Sequence, residues 1–370
     1  MIETVVPEPR GLSVSGQVNR LVAARWFQRL CARIPGVRRI VRAEGAALFD
    51  LMQGFVRSQV LAALVESRLL HRLGDSPANP ETLAALVDMP VDRLTILLQA
   101  GAAMRLLRRQ RDGTYALARR GAAFVSVPGL DALVRHHTVL YGDLAQPLTF
   151  FRGDTDPDLA RFWPYVLGGQ GGADEAARYS GLMARTQALV AEDTLDAVSL
   201  RSVHHLLDVG GGTGAFLRAV HARNPSLQLT LFDLPHVVAQ AHLPPGAQVR
   251  AGSFRDAPLP SGADAISLIR VLYDHSDDTV MTLLNRVRTA LPPGGQLIVS
   301  EPMSGGTDPD PQTDVYFSVY TLAMRTGRCR SSAEIATLCR AAGFVDIVPR
   351  NAFRPFVTCV LTARSPAVAA

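Results

Sequence analysis

The C-terminal half of the chain alternates short, mostly apolar runs with stretches of helical period. The runs fall at 205–209, 228–232, 247–250, 264–269, 296–300, 345–349 and 356–362, and they read as strands of a sheet buried on both faces. Apolar positions recur at helical spacing near 214–223, 235–241, 278–290 and 331–342. This alternation predicts an α/β fold: a mainly parallel, seven-stranded, Rossmann-like sheet over 201–370, with ligands at the carboxyl ends of its strands.

The N-terminal half has a different rhythm. Phe55 to Leu70 has helical spacing, and Pro80-Glu81-Thr82-Leu83 and Pro90-Val91-Asp92-Arg93 open two more helices. Leu107 to Leu117 then reads as strand, Asp112-Gly113 turn, strand. Helices followed by a hairpin predict a mostly α winged-helix domain over 49–125. Residues 126–200 read as a helical linker and cleft wall, broken at Gly168–Gly172, with Tyr179, Leu182 and Met183 on one later face. In the segment 1–48, residues to about 17 are expected to be loose. From Asn19 to Arg42, arginines interleave with Leu21, Trp26, Leu30, Ile34 and Ile40, which predicts a pair of short basic amphipathic helices parted by Pro35-Gly36. Such a segment suits docking on its own chain or on a second subunit; its alternative is an anionic lipid surface at the inner membrane.

Composition changes this picture little. A hydrophobic share of 48% supports a buried core, and a net charge of +5 over 370 residues is too mild to imply a polyanionic partner. All 38 basic residues are arginine. Arg105, Arg108, Arg109 and Arg111 raise the question of DNA, but the helix Asp92–Ala103 offers Thr95, Leu97, Leu98 and Gln99, few of which read bases. The expectation is therefore a homodimer through this domain, without nucleic acid. Cysteines 31, 329, 339 and 359 lack metal-ligand spacing, so no metal is expected, and they read as reduced thiols of a cytoplasmic protein. The first residues lack the pattern of a signal peptide, and no apolar run reaches 18 residues.

The chemistry concentrates at strand ends. Leu206-Leu207-Asp208-Val209 enters a turn with Gly210, Gly212 and Gly214, and the next strand ends on Asp233, followed by Leu234. The turn satisfies a dinucleotide fingerprint as well as a binding loop for S-adenosylmethionine (SAM). Asp208 favours SAM, because a carboxylate there repels a pyrophosphate but suits an ammonium; the third glycine also departs from dinucleotide spacing. Asp233 is placed to accept two ribose hydroxyls. After the third strand, Ser253 and Phe254 can meet an adenine, although Phe254 reads equally well as core. Arg270, Tyr273 and His275 follow the fourth strand, and Glu301 ends the fifth. Between Asp314 and Arg325, Tyr316, Tyr320 and Met324 share a helical face, which is either core or, with Met183, the wall of an apolar substrate pocket.

The ordered set D-V-G-G-G-T-G, F-D-L-P, G-S-F, R-V-L-Y-D-H-S-D-D, L-P-P-G-G and E-P-M resembles the SAM-dependent O-methyltransferases with an N-terminal winged-helix dimerisation domain, over about 49–363. Within that group, R-V-L-Y-D-H, E-P-M-S-G-G and D-V-Y-F-S-V-Y-T-L-A-M-R-T-G-R are similar to the hydroxyneurosporene (demethylspheroidene) enzymes of purple phototrophic bacteria. The resemblance implies methylation of a tertiary hydroxyl on an acyclic carotenoid; a polyketide or aromatic hydroxyl is the alternative, and a regulator that senses SAM a more distant one. It also marks departures. Tyr273 stands where plant-like members have a histidine base, His275 replaces a tryptophan, and Glu301 matches the first of two supporting glutamates. Cys329 falls at the second glutamate, and Ser253 replaces the aspartate of the adenine motif. His275 is the first candidate to receive the proton, with Tyr273-bound water and Glu301 as alternatives.

Overall fold

A computed structural model of the protein describes residues 14–162, 186–307 and 309–367. The chain divides into two compact units, Met1–Ala122 and Ala123–Ala370. The predicted break at Gly168–Gly172 and the face bearing Met183 lie outside the described residues.

In the first unit, helices α1 (Val14–Ala23), α2 (Arg25–Arg33) and α3 (Val37–Met52) bury none of their residues. Helix is present from Val14, inside the stretch expected to be loose, and the basic segment forms three helices, because Ala24 takes an extended backbone in addition to the break at 34–36. Helices α4 (Gly54–Glu66), α5 (Leu69–Asp75), α6 (Pro80–Val87) and α7 (Val91–Ala103) precede the hairpin β1 (Leu107–Arg109) and β2 (Tyr115–Leu117). Leu64, Leu70, Leu83, Leu94, Leu98 and Leu107 close the core between them. The start of α6 is fixed locally: the Asn79 side chain accepts the Thr82 N–H at 2.7 Å, and Pro80 opens the helix. The expected hairpin is present, with Leu107 opposite Leu117.

Helix α8 (Arg119–Ser126) leads into the second unit. There α9 (Leu130–Asp143), α10 (Pro147–Arg152) and the helical residues 186–197 (α11) precede a seven-stranded sheet. Its strands are β3 (His205–Val209), β4 (Gln228–Asp233), β5 (Gln248–Ala251), β6 (Ala265–Ile269), β7 (Gln296–Glu301), β8 (Val345–Arg350) and β9 (Cys359–Arg364). They lie in the order β5-β4-β3-β6-β7-β9-β8, and only β9 runs against the others. Helices α12 (Ala215–Arg223), α13 (Pro235–Val238), α14 (Asp277–Ala290), α15 (Thr313–Met324) and α16 (Ser332–Ala341) complete the unit. Two apolar clusters sandwich the sheet: Leu207, Leu268, Leu284, Leu297 and Ile335 belong to one, and Leu206, Phe216, Val220, Leu231 and Ile298 to the other. Strand order reverses between β3 and β6, so a crevice opens at their carboxyl ends.

Candidate active site

The glycine turn lies in that crevice. Gly210 has φ +70, and a Cβ there would come within 2.9 Å of Val271 Cγ2, so β3 closes directly on the chain leaving β6. Gly212 lines the cavity with open space beside its Cα. Its N–H donates to Asp233 Oδ2 at 2.8 Å, and the Leu234 N–H donates to Oδ1 at 2.7 Å. Each carboxylate oxygen is thereby oriented with acceptor capacity to spare. Burial raises the Asp233 carboxyl above its ordinary range, opposed by these two hydrogen bonds.

Asp208 does not reach the cavity, contrary to its expected contact with an ammonium. It is followed by Val209 within β3 and is paired across the sheet with Ser267 of β6, which encloses its side chain. Oδ1 accepts the Ser267 hydroxyl at 2.6 Å, while burial, with some help from Asp233, pushes the carboxyl up to about 7. Its charge can act on the turn only from beneath Gly211.

The same cavity gathers Gly210, Leu234, Ser253, Phe254, Arg270, Tyr273, Asp274 and His275. Ser253 Oγ accepts the Arg255 N–H at 3.1 Å. Phe254 meets the His275 ring edge-on, centroids 5.3 Å apart. Arg270 sits at φ +59, its N–H donating to the Ser300 carbonyl and its guanidinium to Thr186 Oγ1 at 3.0 Å. The Arg255 guanidinium lies 3.3 Å from His275 Nδ1. Because a guanidinium only donates, that nitrogen is the acceptor and Nε2 carries the proton. Burial, Arg255 and Arg330 hold His275 down at about 4, a neutral ring. Flat apolar walls (Phe232, Leu234, Val237, Phe254), a paired acceptor on Asp233 and an open glycine turn fit an adenosine carrying a sulfonium amino acid.

Glu301 is not in the cavity wall either. It is fully buried, and Oε2 accepts the N–H groups of Leu272 (2.9 Å) and Tyr273 (3.2 Å). Burial pushes its carboxyl up to about 7, against those hydrogen bonds and Arg330. Arg330, which sequence reading missed, holds the other side of the same loop. Its fully buried guanidinium donates to the carbonyls of Leu272 (2.9 Å) and His275 (2.8 Å) and pairs with Asp277 at 2.6 Å. Gly327 lies so close to this loop that a Cβ would overlap the Tyr273 carbonyl oxygen. The loop is thus clamped by an acid on its N–H groups and a base on its carbonyls. Cys329 is buried beside it, its thiol raised to about 12 by burial and by Glu301.

The aromatic face of α15 packs on α9. His136 Nε2 is 2.8 Å from the Tyr320 hydroxyl, His137 Nε2 is 2.7 Å from that of Tyr316, and the two tyrosines stack at 5.8 Å. The histidine pair went unread in the sequence; its only signal was adjacency on one helix. Burial, then His137, holds His136 down at about 4. Tyr316 and Tyr320 are among the residues expected to line a substrate pocket, and here they pack against α9 rather than in the cavity wall. Met324 is fully buried with Leu140, Phe150 and Leu159 and is not among the residues of the cavity wall. Met183, assigned to the same wall, lies outside the described residues.

Comparison with known proteins places these features in a family. An O-methyltransferase domain profile matches residues 141–345, and an O-methyltransferase dimerisation domain profile matches 49–127. The chain is 53% identical to a demethylspheroidene O-methyltransferase of Cereibacter sphaeroides, over 97% of each chain. A protein of the same description from Rhodobacter capsulatus is 51% identical over 94% of this chain and 90% of its own. Among solved structures, the SAH-bound form of a methyltransferase of calicheamicin biosynthesis superposes with a TM-score of 0.71 at 26% identity, over 88% of this chain and 98% of that one.

Proposed function

The chain belongs to the O-methyltransferase family, with that family's dimerisation domain ahead of the catalytic one, and we propose that its acceptor is the tertiary hydroxyl of an acyclic 1-hydroxy carotenoid. It is a SAM-dependent enzyme of carotenoid biosynthesis. The observation that carries the choice of acceptor is identity above half, along nearly the whole chain, to a protein described as acting on demethylspheroidene.

SAM, when bound, supplies a methyl group on a cationic sulfur. The chain's own residues do the rest. We assign Asp233 to the ribose hydroxyls, Phe254 and Ser253 to the adenine, and Gly210 and Gly212 to the close approach of the turn. Arg270, Tyr273 and His275 form the polar end of the same cavity, held by Glu301 and Arg330 from outside it. A tertiary alcohol is too weak an acid for a neutral imidazole to ionise beforehand. A fixed loop acts instead by holding the hydroxyl at attack distance in line with the methyl group, an effect worth several powers of ten.

As a dimer, the protein would cover exposed apolar side chains such as Leu51 and Phe55, which are 81% and 72% exposed on the single chain. The arginines and Trp26 of α1–α3 also suit contact with anionic lipid, where a carotenoid resides. No single described helix is long and apolar enough to cross a membrane. Labelled SAM with the purified protein tests the acceptor. 1-Hydroxy carotenoids in detergent should take the label, and transfer only to phenolic or polyketide acceptors would overturn the assignment.

A further inference from the structure

We propose that Asp274, rather than His275, receives the acceptor's hydroxyl proton. Among the described residues that line the cavity, Asp274 Oδ1 is the one buried side-chain atom with no hydrogen-bond partner. A bare carboxylate oxygen inside a closed polar end costs stability, and such a cost persists where the group meets a ligand. The other candidates are committed. His275 Nδ1 accepts from Arg255, and a second proton on that ring would be repelled by Arg255 and Arg330. The Tyr273 phenol is neutral, raised by burial. Glu301 accepts two backbone N–H groups on Oε2, and although its Oε1 has no partner, the residue does not line the cavity.

Asp274 is faced by Arg270 and Tyr273 from its own segment, Glu301 from β7, Tyr320 from α15 and Cys329 from the chain before α16. Burial, with Glu301, holds its carboxyl well above the ordinary range, and Arg270 only partly opposes this. Without a ligand, the protonated form is thereby favoured over what an exposed aspartate would show. A sulfonium entering the cavity supplies the missing positive charge and favours the carboxylate. In the reaction, the hydroxyl oxygen bonds the methyl carbon, the carbon–sulfur electron pair stays on sulfur, and the hydroxyl proton passes to Asp274. As the sulfur loses its charge, the carboxylate regains its affinity for a proton at the moment the alcohol oxygen becomes acidic.

This rests on the cavity being the SAM site, and the two claims fail differently. Calorimetry of SAM and of SAH binding, each in phosphate and in Tris at pH 7.5, reads protons released on binding. The wild-type protein should release up to one proton more with SAM than with SAH, and Asp274→Asn should abolish the difference while binding both. In turnover, Asp274→Asn should lose about 10³-fold in kcat with KM for SAM little changed, and His275→Ala about 10-fold. Equal proton release for SAM and SAH in the wild-type protein between pH 6 and 9 overturns the proposal without any variant. So does an Asp274→Asn protein that turns over within fivefold of wild type. Absence of SAM binding to the wild type would remove both the cavity assignment and this role.

Discussion

Asp233 and Glu301 are both strand-end carboxylates, yet their surroundings give them opposite duties. Asp233→Ala should weaken SAM binding by about 2–3 kcal/mol in calorimetry, the scale of hydrogen bonds to a charged group, while leaving the sheet intact. Unchanged affinity would remove Asp233 from the ribose. Glu301 acts on stability. Its folded carboxyl sits at about 7, above the ordinary value of 4.5. Its native form therefore binds a proton more readily than the unfolded chain does, and the associated stability is full below about pH 4.5 and is lost as pH rises through 7. His275 and His136, held down at about 4, slope the other way, so the whole-protein curve blends these effects. The difference between variants isolates Glu301. Denaturant titrations should show Glu301→Gln gaining on wild type from pH 5 to pH 8, by up to about 3 kcal/mol. In sequence, the position of both carboxylates at strand ends was legible, but not which way each side chain turns. Asp274 was passed over because Ser276, Asp277 and Asp278 follow it, and the cluster read as the start of α14.

At the scale of elements, apolar runs punctuated by glycine or aspartate marked six of the seven strands to within a residue or two. The last was displaced: β9 begins at Cys359, because Arg354 to Val357 turn back toward Asp193, which accepts from Arg354 in three hydrogen bonds of 3.0–3.1 Å and one of 2.6 Å. Helix α15 shows what periodicity leaves open. A one-sided stripe of Tyr316, Tyr320 and Met324 fits a pocket and a core equally, and only the partner helix decides. Here α9 supplies Leu140, His136 and His137, so the stripe is packing with two polar ties. Met324→Ala should accordingly lower stability by about 2–5 kcal/mol in denaturant titration and leave SAM affinity unchanged. A variant as stable as wild type, but with altered acceptor preference, would return Met324 to the pocket. Arg330 carried no sequence signal that set it apart from Arg325 and Arg328, since two of its partners are the backbone carbonyls of Leu272 and His275, which any sequence provides, and Asp277 lies more than fifty residues away.

For the whole molecule, the exposed apolar side chains concentrate on α1–α4, and the dimerisation profile begins at residue 49, within that stretch. Light scattering at micromolar concentration, without nucleic acid, should give twice the 39.8 kDa of one chain. Leu51→Arg with Phe55→Arg should shift it toward one chain; a wild-type monomer would refute the pairing. The same stretch marks the limit of sequence reading at this scale. A mild net charge and an amphipathic pattern announce a covered surface, but the lipid and the second copy ask for the same apolar side chains and arginines.

The sheet order also sets how the protein opens. Strand β9 lies between β7 and β8, so β8 is tied to the sheet only through β9, and β8 itself is an exposed edge with a register shift between Val345 and Val348. A two-stranded hairpin freed from its sheet is at best marginal in water. Loss of β9 from β7 should therefore release β8 as well, whereas β8 can fray while β9 stays. Amide exchange should follow that hierarchy, with β8 exchanging through low-energy local opening and β9 only with the unit that holds Glu301 in place.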